Sequence, residues 1–162
     1  MDLTPSARHM SFPKNGSDGK CCYYDGLKIA YNLRIDEEHI HRVQRATTTT
    51  EEFGLEPTHG LFGSAEWWNR IATGDLPVRT ASGVITKVYM GSMGDWPEFE
   101  MVSDSGEVSQ WTRYVNLKEQ DALYRVGRQV EVDYVLQRNR PKSWDRGGET
   151  KCVIEIRVAD DA

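Results

Sequence analysis

The chain predicts an α+β, mostly β fold, and three observations carry that prediction. Strict period-two alternation dominates the second half, as in "QVEVDYVLQ" (Gln129–Gln137) and "CVIEIRV" (Cys152–Val158), the pattern of strands with one buried face. Helical periodicity is confined to short stretches bounded by capping residues. Five Trp, seven Tyr and four Phe supply large apolar surfaces to a chain that is only 38% hydrophobic and 28% charged. A chain too polar to fold lacks such aromatics.

Residues 1–20, "MDLTPSARHMSFPKNGSDGK", are rich in Ser, Pro, Gly and Asn and read as a mobile arm before a single globular domain over 21–162. Asp25-Gly26 predicts a hairpin turn, since both of its central positions take φ above zero. Leu27, Ile29, Tyr31, Leu33 and Ile35 then alternate with Lys28, Ala30, Asn32 and Arg34, a strand with one wet face. Residues 36–50 admit two readings. Asp36 can cap a helix that carries Glu37 and Glu38 in its first turn. However, Ile40, Val43 and Ala46 form a thin stripe, and Thr47–Thr50 are stiff at χ1, so we assign a second strand antiparallel to the first. "SAEWWNRIATG" predicts a short Trp-rich helix with Ser64 as N-cap and Gly74 as its stop. Trp67 with Ile71, and Trp68 with Ala72, lie one turn apart. Residues 21–76 thus make an N-terminal β-hairpin plus a helix.

Over 83–159 the signals are sharper. "GVITKVYM" is a strand with Val84, Thr86, Val88 and Met90 on one face. "EFEMVS" places Phe99 and Met101 together, "SDSGE" is a turn, and "VSQWTRYV" is a strand with Trp111, Arg113 and Val115 on one side. "NLKEQDALYRVG" turns helical, with Asn116 as cap, Glu119 at the capping-box position and Gly127 as stop. In the two final strands Val130, Val132, Tyr134 and Leu136, then Cys152, Ile154, Ile156 and Val158, point inward, with Glu131 and Asp133 outward. Strand, strand, strand, helix, strand, strand is the order of an OB-like five-stranded barrel. An SH3-like barrel is the alternative, but it does not normally carry a helix at that place. The likeness is one of fold and identifies no family.

The formal charge is −5 with a pI near 5.4. Up to Leu76 eight Lys/Arg face eleven Asp/Glu, and beyond it twelve face fourteen. Neither part offers the basic footprint of a duplex-nucleic-acid or anionic-membrane protein. No apolar run reaches the roughly 18 residues of a membrane span. The start "MDLTPSARHMSF" has no apolar segment of a secretory signal, and three cysteines fit a reducing compartment. The expected location is cytoplasmic.

In an OB-like barrel the ligand face lies on the second and third strands, between the loops after strands one and four. Those loops are "GSMGDWP", with Trp96, and "RNRPKSWDRGGETK", with Arg138, Arg140, Lys142, Trp144 and Arg146. Phe99 and Trp111 are expected in the core, and Trp96 with Trp144 on an accessible rim. Aromatic rings beside cations suit a protein partner, for which Trp, Tyr and Arg are the preferred anchors. They suit single-stranded nucleic acid too, through stacking and phosphate contacts. Asp95, Glu98, Glu100, Asp104 and Glu107 crowd the same segment and oppose phosphate. The leading reading is a non-catalytic binding module, a protein–protein interaction or adaptor protein using the barrel rim, with single-stranded nucleic acid as the alternative partner.

A small metal-dependent enzyme is the third reading. His39 and His41 would share a face on a strand, but no CxxC or HxxxH spacing supports zinc, and surface histidines are the simpler explanation. "NGSDGK" lacks P-loop spacing, and Glu66 stands where a nucleophile elbow after Ser64 needs glycine. We therefore expect no metal and no cofactor.

Overall fold

A computed structural model of the chain describes residues 26–91, 94, 96–143 and 148–160. The expected arm, the first strand of the hairpin, Cys21, Cys22, Trp144 and Arg146 lie outside the described residues. The strands are β1 (Leu27–Asn32), β2 (Arg79–Met90), β3 (Pro97–Val102), β4 (Val108–Thr112), β5 (Gln129–Arg138) and β6 (Glu149–Ala159). The helices are α1 (Glu37–Thr49) and α2 (Ala65–Thr73), with 3₁₀ helices at Leu33–Ile35 and Lys118–Leu123. The strands form one antiparallel sheet in the order β1-β6-β5-β2-β3-β4.

From β2 onward the element order is the expected one, although the helix between β4 and β5 is 3₁₀. No ladder joins β4 to β1 among the described residues, so strand pairing leaves the sheet open. Side chains tie its two ends together instead. Asn116 Oδ1 accepts from the Asn32 amide at 2.7 Å, and its Nδ2 donates to the Asn32 carbonyl at 3.0 Å. Gln120 Nε2 donates to the Ile29 carbonyl at 3.3 Å, and Tyr31 stacks on Tyr114 at 4.8 Å. Asn116 is therefore a bridge rather than the expected helix cap. The 3₁₀ turn is held by Gln120 Oε1, not Glu119, accepting from the Asn116 and Leu117 amides at 2.9 and 2.7 Å.

The long strand β2 serves two partners. Arg79–Val84 pair with β5, and Val84–Met90 pair with β3. Gly83 sits at the handover, where a Cβ would lie 2.4 Å from the Val102 carbonyl oxygen. Only glycine fits so close a backbone approach. A register shift between Ile85 and Lys87 follows. Val84, Thr86, Val88 and Met90 are all exposed, and Gly83 and Ile85 are the buried positions. Phe99, Met101 and Trp111 are buried as expected.

In β5 and β6, Val130 pairs with Val158 and Val132 with Ile156, all four fully buried. A second irregularity pairs Asp133 with Glu155 but Tyr134 with Val153. Ile154 is the extra residue, and it reverses the phase of β6. Cys152 consequently pairs with Val135 and leaves the row of Ile156 and Val158, contrary to the alternation read from sequence. Val135 and Gln137 are buried although they share the side of Glu131 and Asp133. α2 covers that end: Trp67 Nε1 donates to Gln137 Oε1 at 3.0 Å.

The expected second strand over 36–50 is instead α1. Asp36 caps it, accepting from the His39 amide at 3.2 Å. The threonine hydroxyls turn back onto the helix: Thr47, Thr48, Thr49 and Thr50 donate to the carbonyls of Val43, Gln44, Arg45 and Ala46. This satisfies each hydroxyl within the helix and offsets the strand preference of the side chains. β1 ends at Asn32, so Ile35 is exposed rather than buried in a continuing strand. In α2 the expected caps are present: Ser64 Oγ accepts from the Trp67 amide at 3.2 Å, and Gly74 is left-handed at φ 85°.

Two stability measurements check this architecture. Ile156→Ala should cost about 2–5 kcal/mol in denaturant melts, through lost burial plus a cavity. Asn116→Ala should cost about 1–3 kcal/mol, because it strands both main-chain groups of Asn32. A neutral Asn116→Ala would mean that the side-chain tie does not hold the sheet ends together.

Candidate protein-interaction surface

The side of β2, β3 and β4 opposite Phe99 and Met101 carries three cross-strand rows. Val84, Val102 and Val108 form the first; Lys87, Glu100 and Gln110 the second; Tyr89, Glu98 and Thr112 the third. Alternation fixes them there, because their neighbours Ile85, Phe99, Met101 and Trp111 point into the core. Thr86 Oγ1 donates to Glu100 Oε1 at 2.9 Å, and Lys87 Nζ stands 4.7 Å over the Tyr89 ring. Trp96 lies at the end of the third row. Its Nε1 donates to Thr112 Oγ1 at 3.1 Å, while 49% of the residue stays exposed.

The same side continues onto β5 and β6 as a charged cluster. Arg157 contacts Asp133 at 2.7 Å, Glu155 at 2.7 Å and Glu131 at 2.9 Å. Thr80 adds a hydrogen bond to Asp133 at 2.6 Å. Three carboxylates surround one guanidinium, so this region stays net acidic. The exposed side thus combines a valine row, an anchored indole and an excess of carboxylates. It can hold a complementary surface.

The expected rim residues divide. Trp96 is accessible and Trp111, at 5% exposure, is core. Lys151 Nζ caps Trp111 at 4.8 Å. Arg140 donates to the Thr47 carbonyl at the end of α1, and Lys142 pairs with Glu51. These two cations are engaged by the chain's own N-terminal part rather than gathered beside Trp96. Arg138 is exposed, and its carbonyl accepts from the Glu56 amide at 2.8 Å. Of the cations from Arg138 to Lys151, the described one beside a ring is Lys151, over Trp111, while Trp144 and Arg146 lie outside the described residues. Sequence reasoning missed the three rows themselves. Their exposed side becomes visible only once the bulge in β2 and the lack of a covering helix are known.

His39 and His41 lie on α1, where residues two apart point to different sides. His39 packs edge-on to Phe62 at 5.9 Å and beside Tyr114 at 5.7 Å, while His41 is exposed. Among the described residues no group of three His, Cys, Asp or Glu is placed to hold a metal. A cleft of about 350 Å³ between α1 and β6 is lined by His39, Val43, Phe62, Tyr114 and Cys152. Burial pushes the Cys152 thiol up to about 12, so it is a neutral core group and not a nucleophile. No helix is long and apolar enough to cross a membrane among the described residues.

Among known protein families, the one described as Immunity protein RhsI2 matches residues 27–159. The match runs from the first residue of β1 to the last of β6. No curated protein matches the chain.

Two measurements test this site. Iodide should quench less of the total fluorescence in Trp96→Phe than in the parent chain, because the shielded rings Trp67 and Trp111 remain. An unchanged quenchable fraction would place Trp96 in the core. The second concerns acid. Desolvation lowers the His39 pKa, against the raising effect of Asp36 and with the help of Arg42. The folded state then takes up this proton later than the unfolded chain. The contribution of neutral His39 is complete above about pH 6.5 and is lost as pH falls through the range below it. His39→Phe should therefore lose less of its melting temperature than the parent chain between about pH 7 and pH 5. Equal losses would show that His39 titrates freely.

Proposed function

We propose that this chain, which belongs to the RhsI2 immunity protein family, neutralises its cognate Rhs toxin by binding it on the uncovered side of β2, β3 and β4. The observation that carries the proposal is Trp96: a large ring held by Thr112, half exposed, at the border of an uncovered sheet face. Buried polar atoms and apolar rings on one rigid support are what binding hot spots use. The valine row adds apolar area, and the carboxylates of Glu98, Glu100, Glu131 and Glu155 select for a basic toxin surface. The action is by occupation and not by catalysis.

The OB-like reading belongs to the same proposal. In that barrel the ligand face lies on the second and third strands, here β3 and β4, which carry the proposed site. We read residues 21–162 as one globular unit that serves this face. Exposed Arg138, at the end of β5, belongs to the proposed rim; Trp144 and Arg146, read from the sequence as rim residues, lie outside the described residues.

The test is titration calorimetry of the purified chain with its purified cognate Rhs toxin. A stable complex and loss of toxin activity are expected. Trp96→Ala should weaken binding by about 2 kcal/mol or more, roughly thirtyfold, without lowering the melting temperature. Failure of the parent chain to bind the toxin would overturn the proposal.

A further inference from the structure

We propose that the toxin adds a strand to the free edge of β4; this rests on the reading that the toxin binds the β2–β4 side. The register identifies which main-chain groups are available. Ser103 donates to the Glu107 carbonyl at 2.9 Å, and Arg113 to the Pro97 carbonyl at 3.0 Å. In an antiparallel pair such contacts recur at every second residue. Ser109 and Trp111, opposite Met101 and Phe99, therefore bond to β3. Val108, Gln110 and Thr112 direct their N–H and C=O groups to the open side. The Thr112 carbonyl accepts from Tyr114 at 2.9 Å. The groups of Val108 and Gln110 have no partner among the described residues.

The two edges of the sheet are treated differently. The β1 edge is covered by Asn116 and Gln120, whose side chains take up the main chain of Asn32 and Ile29. The β4 edge, Val108-Ser109-Gln110-Trp111-Thr112, has no such cover. It also contains no charge, proline or glycine, the devices that commonly blunt an edge. Val108 is 57% exposed. An uncharged edge with outward main-chain groups accepts an extended segment, and pockets for its alternate side chains set the choice of segment.

The rows beside the edge define that segment. A strand placed next to β4 continues the row of Val84, Val102 and Val108 with an apolar residue. Two residues along, it continues the row of Lys87, Glu100 and Gln110. A lysine or arginine there reaches across Gln110 toward Glu100. The occupant is thus an extended toxin segment with an apolar residue beside Val108 and a basic residue two positions along, beside Gln110, on the same face. A second copy of this chain would instead bring Glu98 and Glu100 toward the same carboxylates, and the chain's charge of −5 opposes that association.

Gln110→Pro separates main chain from side chain. The Gln110 amide makes no bond to β3, so proline there removes only an outward donor. Gln110→Pro should keep its melting temperature and bind the purified cognate Rhs toxin at least about thirtyfold more weakly than Gln110→Ala, which removes the same side chain and keeps the outward amide. Hydrogen exchange on the unaltered chain gives a second readout: the Val108 and Gln110 amides should slow at least about tenfold in the complex. That measurement decides the matter if Gln110→Pro fails to fold. A folded Gln110→Pro that binds like Gln110→Ala overturns the proposal. Unchanged exchange at both amides within a formed complex does the same, and leaves the immunity reading standing. Protection of both amides in the toxin-free chain, with dimers in sedimentation, overturns it in favour of a second copy. If the unaltered chain forms no complex, the immunity reading falls and this proposal with it.

Discussion

The indole of Trp67 and the amide of Gln137, both buried, meet through one hydrogen bond of 3.0 Å, and much of the arrangement depends on it. Gln137 lies on a strand side whose first half, at Glu131 and Asp133, is polar. The second half would expose Val135 and leave Gln137 seeking water. α2 covers it, and Trp67 supplies the donor that a buried amide oxygen needs. The amide nitrogen is satisfied as well, donating to the Glu56 carbonyl at 3.1 Å. Phe62 and Trp68 pack on Trp67 at 4.7 and 4.8 Å, and Arg34 stands 4.1 Å over Trp68. The helical segment is thereby committed to one end of the sheet. The side formed by β2, β3 and β4 at the other end stays free for a partner.

Arg157 guards the border between these regions. Burial works against its charge, but hydrogen bonds to Asp133, Glu155 and Glu131 outweigh this and raise its pKa further. A guanidinium is suited to such sharing because its five donors lie in one plane. The cluster keeps β5 and β6 polar where no helix covers them. It also carries the acidic character of the free side across four strands.

Most of the sheet was legible because burial on one side writes itself into alternation. β3 and the capped helix α2 follow the pattern, and β5 follows it as far as Val132; beyond that Asp133, Val135 and Gln137 are buried while Tyr134 and Leu136 are half-buried. The departures have specific causes. α1 was hidden because four consecutive threonines signal a strand, and their bonds to Val43, Gln44, Arg45 and Ala46 exist only once the helix has formed. Cys152 changed sides because Ile154 is an extra residue, and a bulge leaves no mark in composition. Of the candidate site, Trp96 was legible as a ring in a Gly/Pro-rich loop. Arg140 and Lys142 were misleading, since their partners Thr47 and Glu51 lie some ninety residues earlier and only the fold brings them together. The open edge of β4 had no sequence signature, because an edge is defined by what fails to pair with it.

β1 and β6 pair Leu27 with Ala159, almost the first and last described residues. The ladder therefore joins segments far apart in the sequence, and the entropy of closing so long a loop is met late in folding. During synthesis, β2, β3 and β4 can assemble while the chain is still attached to the ribosome. β1 must wait, because its ladder partner β6 is the last of the described strands to emerge. A chain without β6 loses one of the two neighbours of β5 and the strand that β1 pairs with among the described residues. The nascent protein thus holds β1 without its ladder partner until β6 has been made.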